Sequence, residues 1–119
     1  MTKKSEVSKW SNINLRVGLD EKNVPVIIFW SSDDDPKNRK ESECKAFLLS
    51  MFDKEHKDTL KIDLWTTELQ VVEMDRLMFQ TLRTLVDTYF KATGNQPLAN
   101  EMQKFVHYFG QQTEIIPKS

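Results

Sequence analysis

Cysteine occurs once in the 119 residues, glycine three times, and apolar runs are short. Each scarcity excludes something. Cys44 alone makes no internal disulfide, which suits a reducing compartment. The longest strongly apolar stretch, Val24 to Trp30, is interrupted by Pro25 and falls far short of the roughly 18 residues of a membrane helix. Gly18, Gly94 and Gly110 belong to no phosphate-cradling loop. Neither sign of charge dominates. The 17 basic and 18 acidic residues leave a formal charge of −1, without the basic excess or run of a nucleic-acid binder. The opening MTKKSEVSKW has basic residues but no apolar run behind them, so it does not read as a secretory signal. The expectation is a cytoplasmic protein with no nucleic-acid partner and no direct membrane insertion.

What is present fits one small domain. Apolar residues make up 39% and charged residues 29%, enough of each for a core and a solvated surface. A chain of this length buries roughly 60–70% of its unfolded surface and needs no metal or disulfide to fold. Residues 1–10 read as a flexible N-terminal segment, 11–112 as a single α+β domain, and 113–119 as a loose C-terminal tail.

Ile13, Leu15, Val17 and Leu19 alternate with Asn14, Arg16 and Gly18, the period of a half-buried strand. Asp20 to Asn23 has hairpin length, and Val24 to Ser31 follows as a strand apolar on both faces. SSDDDP then marks a helix start, with Asp35 as N-cap and Pro36 at the first helical position. Cys44, Phe47, Leu48, Met51 and Phe52 fall on one face of that helix. DKEHKD is a polar connection, and TLKIDLWT at 59–66 alternates again. A long helix over about 71–93 carries two adjacent apolar stripes, one through Met74, Met78, Leu82 and Leu85, the other through Phe79 and Val86. Gly94 closes it, and a last helix starts near Pro97. The expected order is β-β-α-β-α-α: a small three-stranded antiparallel sheet packed with three helices. The preferred strand order is 2-1-3, which leaves strand two as an edge and accommodates Pro25.

A search for chemistry finds no catalytic, cofactor-binding or metal constellation. His56 and His107 have no histidine or cysteine at ligand spacing. Cys44, on an apolar helical face, reads as a buried inert thiol. Asp33 to Asp35 lack the central glycine and terminal glutamate of a calcium loop, and helix capping explains them more simply. Asp75 falls inside the apolar arc of the long helix, where its nearness to the helix N-terminus accounts for it better than catalysis. Two features point to binding. Ile27 and Phe29 on strand two form a candidate self-association edge. Lys61, Asp63 and Trp65, on the polar side of the third strand, form a candidate partner-binding surface with an aromatic anchor. The bland alternative tucks Trp65 under the start of the long helix.

The segments TLKIDLWT at 59–66, VVEM at 71–74, QTL at 80–82, DT at 87–88 and ATG at 92–94 resemble the gliding motility-associated GldC family. LDEKNVPVIIFW at 19–30 and the MFDKEHKDTL connection resemble it too, so the likeness spans roughly residues 11 to 112. The resemblance implies a small cytoplasmic bacterial accessory factor that supports gliding through protein–protein interaction, without catalysis or cofactor. Its implied partners are other gliding-apparatus proteins, membrane-associated ones included. A small enzyme with a polar pocket built on Asp75 or Asp63, and a self-associating structural protein, are the competing readings.

Overall fold

A computed structural model describes residues 5–117. Residues 1–4 of the N-terminal segment and 118–119 of the tail lie outside them. The chain is α+β and divides into two compact units, residues 1–69 and 70–119.

Among the described residues the first unit is built from strands. β1 (Ile13–Leu19), β2 (Pro25–Ser32) and β3 (Ser42–Cys44) form an antiparallel sheet in the order β1-β2-β3. β4 (Ala46–Phe52) and β5 (Thr59–Trp65) form a two-stranded antiparallel sheet. The β1–β2 hairpin closes where expected. Asp20 accepts the Lys22 and Val24 amides on Oδ1, at 2.8 and 3.0 Å, and Asn23 takes a positive φ of 64°. Gly18 lies at a register shift opposite Ile27, whose Cγ2 would stand 2.6 Å from a Cβ at position 18. Ile28 is the fully buried side chain of this unit.

Three sequence expectations are corrected here. The helix expected after SSDDDP is absent, and β3 and β4 occupy its place. Its apolar positions fit a helix, but Phe47, Leu49 and Met51 also alternate. In the hairpin they stand opposite Leu64, Ile62 and Leu60. Pairing the two alternating stripes gives each strand a hydrogen-bonded partner along one side and sets their apolar residues opposite one another. Among the described residues there are therefore two helices, and the strands form two sheets rather than one. The order 2-1-3 is also overturned. β2 sits between β1 and β3, and the TLKIDLW strand pairs with β4 instead of β1. Asp35, lacking a helix to cap, anchors the turn after β2 by accepting the Lys37 amide at 3.1 Å and the Arg39 Nε at 2.8 Å.

The second unit is a helical hairpin. α1 spans Val71–Thr93 and ends at Gly94, which adopts a left-handed φ of 70° and donates its N–H to the Phe90 carbonyl at 2.7 Å. At its start the Gln70 amide donates to Glu73 Oε1 at 3.1 Å. α2 spans Gln96–Gln112, capped by Asn95, whose side chain accepts the Leu98 amide at 3.1 Å. Phe79, Val86, Ala99 and Val106 form a contiguous core between the helices. The segment expected to begin a loose tail is packed as far as Ile116. The Ile115 and Ile116 amides both donate to the Gly110 carbonyl, and both side chains lie against that core. A Cβ on Gly110 would come within 2.6 Å of Phe79 and Ile116, so the close approach of the tail depends on that glycine.

Candidate functional site

β5 positions the candidate binding residues by simple alternation. Lys61, Asp63 and Trp65 point to the face of the β4–β5 sheet shared with Ala46, Leu48, Ser50 and Phe52, while Leu60, Ile62 and Leu64 point to the other. Lys61 Nζ donates to Ser50 Oγ at 2.9 Å and lies 3.5 Å from Asp63 Oδ1. The pair is largely solvated, so it fixes the lysine's direction more than it stabilises the fold. Trp65 is 53% exposed. Next to it, buried Thr66 donates its amide to the Lys45 carbonyl at 2.8 Å, which pins the end of the strand.

Asp63, Leu64 and Trp65 join Thr66, Thr67, Val24 and Pro25 around a cavity of about 290 Å³. The start of β2 thus meets the end of β5, a juxtaposition invisible in the sequence spacing. The structure brings Asp63 and Trp65 to one concavity and leaves Lys61 beside it as Asp63's counter-ion. Such a site offers an aromatic ring, apolar walls and a neutralised charge pair. It can take an apolar side chain of a partner and read the polar groups around it.

The other expected site residues are placed differently. Ile27 and Phe29 lie on the middle strand of their sheet, not on an edge. Ile27 packs over Gly18, and the Arg16 guanidinium lies 5.2 Å from the Phe29 ring centroid. Arg16 in turn makes two 2.7 Å bonds to Glu41, a hydrogen-bonded pair that draws the Glu41 carboxyl below its ordinary range. Cys44 is half-buried on β3 rather than on a helix, and burial pushes its thiol pKa up. Asp33 accepts from the Asn12 amide and side chain, at 3.0 and 2.9 Å, and Asp34 accepts from Ser11. Among the described residues no group of three or more His, Cys, Asp or Glu could hold a metal. No helix of the described residues is long and apolar enough to cross a membrane. Asp75 is partly buried in α1 and does not line the Asp63–Thr67 cavity.

Among the concavities that sequence reasoning missed is a groove of about 400 Å³ in the helical hairpin. Phe79, Val86, Val106, Ile115 and Ile116 line it, with Arg83, Asp87, Gln103 and His107 around them. Arg83 lies 5.4 Å from the Phe79 ring centroid. The available signal was the pair Ile115 and Ile116, apolar residues in an otherwise polar C-terminal stretch.

The family described as gliding motility-associated protein GldC-like matches residues 25–115, most of both units. The chain belongs to that family. No curated protein and no solved structure matches it.

Proposed function

We propose that this member of the GldC-like family is a cytoplasmic accessory factor of bacterial gliding, acting by protein–protein contact and without catalysis. The family match supplies the association with gliding motility. The observation that carries the contact is Trp65, half-exposed on the lip of the Asp63–Thr67 concavity. A tryptophan needed for the core would be largely removed from water, whereas this one keeps a ring face for a partner. Lys61 and Asp63 flank it as the groups that discriminate among partners. The partner is another component of the gliding apparatus.

Replacing Trp65 with Ala in the gliding cell separates binding from folding. Normal protein abundance with impaired colony spreading is the expected result, because truncating such an anchor costs roughly 2 kcal/mol or more of binding. Loss of abundance would instead make Trp65 a stabilising residue. Normal abundance with normal spreading would remove it from the site.

A further inference from the structure

β5 is the terminal strand of a two-stranded sheet, paired on one side by β4 and, among the described residues of its unit, on the other side by nothing. Its ladder tells which groups the open side presents. The Thr66 amide bonds to Lys45 and the Asp58 carbonyl accepts from Asp53, so even-numbered residues aim their main-chain groups at β4. By alternation the N–H and C=O groups of Thr59, Lys61, Asp63 and Trp65 point outward. An exposed edge of this kind is a template for another strand.

Natural edges are often blocked by a lysine, and Lys61 would serve that purpose alone. The residues around it reverse the effect. Read from its centre, Thr59-Leu60-Lys61-Ile62-Asp63-Leu64-Trp65 mirrors itself in chemistry: Leu60 matches Leu64, and Lys61 is answered by Asp63. We infer that β5 pairs antiparallel with β5 of a second copy of this chain, across a two-fold axis through Ile62.

In that register each Lys61 stands opposite Asp63 of the other copy and exchanges both main-chain hydrogen bonds with it. With the 3.5 Å contact already made inside each strand, the four charges alternate in sign around the axis. On the opposite face Leu60 meets Leu64, and the two Ile62 side chains meet each other. Leu60 and Ile62 are 54% and 45% exposed, so both have surface to lose in pairing. The result is a four-stranded sheet, β4-β5-β5-β4, in place of a two-stranded one that is marginal on its own. The other outer strands lack this symmetry: β1 centred on Arg16 would set two arginines against each other, three-residue β3 centred on Glu43 two glutamates, and β4 has no charged pair to fix a register. Self-pairing goes beyond the gliding role and does not depend on it. Trp65 projects from the sheet face and is read by colony spreading, whereas pairing at the edge is read by mass.

Charge reversal tests the register. Sedimentation equilibrium of the full chain at about 50 µM, well above a micromolar dissociation constant, should find a dimer. Lys61→Asp sets two aspartates opposite each other at both symmetric positions, and Asp63→Lys sets two lysines. Each should weaken dimerisation roughly tenfold or more. Lys61→Asp with Asp63→Lys restores the complement and should restore the dimer. A monomeric wild-type chain overturns the inference, and so does a dimer indifferent to both single reversals or not rescued by the double one. A covalent readout covers the case in which a reversal disturbs folding. The two Ile62 positions form a non-hydrogen-bonded pair with Cα atoms about 4.5 Å apart, within disulfide range. With Cys44 replaced by Ser, Ile62→Cys should crosslink to its own copy on mild oxidation and Ser50→Cys should not. Failure of the Ile62→Cys crosslink counts against the register on its own.

Discussion

The two halves of the chain hold themselves together by different means. The helical half encloses a contiguous core of Phe79, Val86, Ala99 and Val106, extended by Ile115 and Ile116. In the strand half Ile28 is the only buried apolar side chain among the described residues, and Leu60, Ile62, Met51, Phe52 and Trp65 are exposed. What fixes the strands is main-chain pairing, aided by anchored turns at Asp20, Asp35 and Asp53 and by the Arg16–Glu41 pair. Both halves expose some large apolar side chains, but the strand half has less buried core to set against them, and both binding proposals fall on its outer strand β5.

The sharpest way to break this comparison is truncation on each side. Phe79→Ala removes a ring from the helical core and should cost roughly 3–5 kcal/mol of stability. Leu60→Ala removes a side chain already half in water and should cost the isolated monomer about 1 kcal/mol or less. Urea unfolding at a concentration low enough to keep the chain monomeric measures both. Equal losses would mean that Leu60 is covered within the monomer and that the contrast between the halves is false.

A smaller effect isolates backbone conformation from packing in the helical half. Gly94 has φ +70° and open space where a Cβ would stand. Gly94→Ala therefore meets no clash and pays only for the left-handed conformation, about 1 kcal/mol by the same unfolding measurement. A loss several times larger would show that the residue following α1 has contacts that this geometry does not include.

The sequence disclosed the two halves unequally, for a physical reason. α1 was legible to the residue because its stripes repeat over many turns and Gly94 stops it. β1 and β5 were legible from strict alternation. The 42–52 segment was not, because Cys44, Phe47, Leu48, Met51 and Phe52 satisfy the helical period while Phe47, Leu49 and Met51 satisfy the strand period. Only the partner strand decides between them, and strand pairing is not local information. The same omission misplaced the edge. With β3 unrecognised, β2 has an open side and Ile27 and Phe29 read as an edge, whereas β2 lies between β1 and β3. Lys61, Asp63 and Trp65 could be grouped from spacing alone, but not Val24 and Pro25, which complete their concavity from a distant hairpin.

The last and most local effect concerns acid, and it bears on the strand half. Asp35 accepts Arg39 Nε and Nη2 at 2.8 and 3.2 Å and the Lys37 amide at 3.1 Å, with its side chain only 2% exposed. The Arg39 bond, above all, holds this carboxyl down to about 2. An unfolded aspartate titrates near roughly 3.9, so the folded state binds a proton less readily and gains stability wherever the carboxylate is charged. The contribution is fully present above about pH 4 and disappears as pH falls toward about 2. Arg39 also lies 5.0 Å from the Trp30 ring centroid, which makes tryptophan emission a local reporter. The three tryptophans, Trp10, Trp30 and Trp65, all belong to the strand half, so emission follows that half and far-ultraviolet ellipticity weighs the helices. Urea unfolding followed by emission should find wild type more stable than Asp35→Asn at pH 6, by a gap that stays constant down to about pH 4 and then narrows toward pH 2. A gap that persists unchanged at the lowest pH would mean that the carboxylate's charge is irrelevant, and that the turn is held by its hydrogen-bonding shape alone.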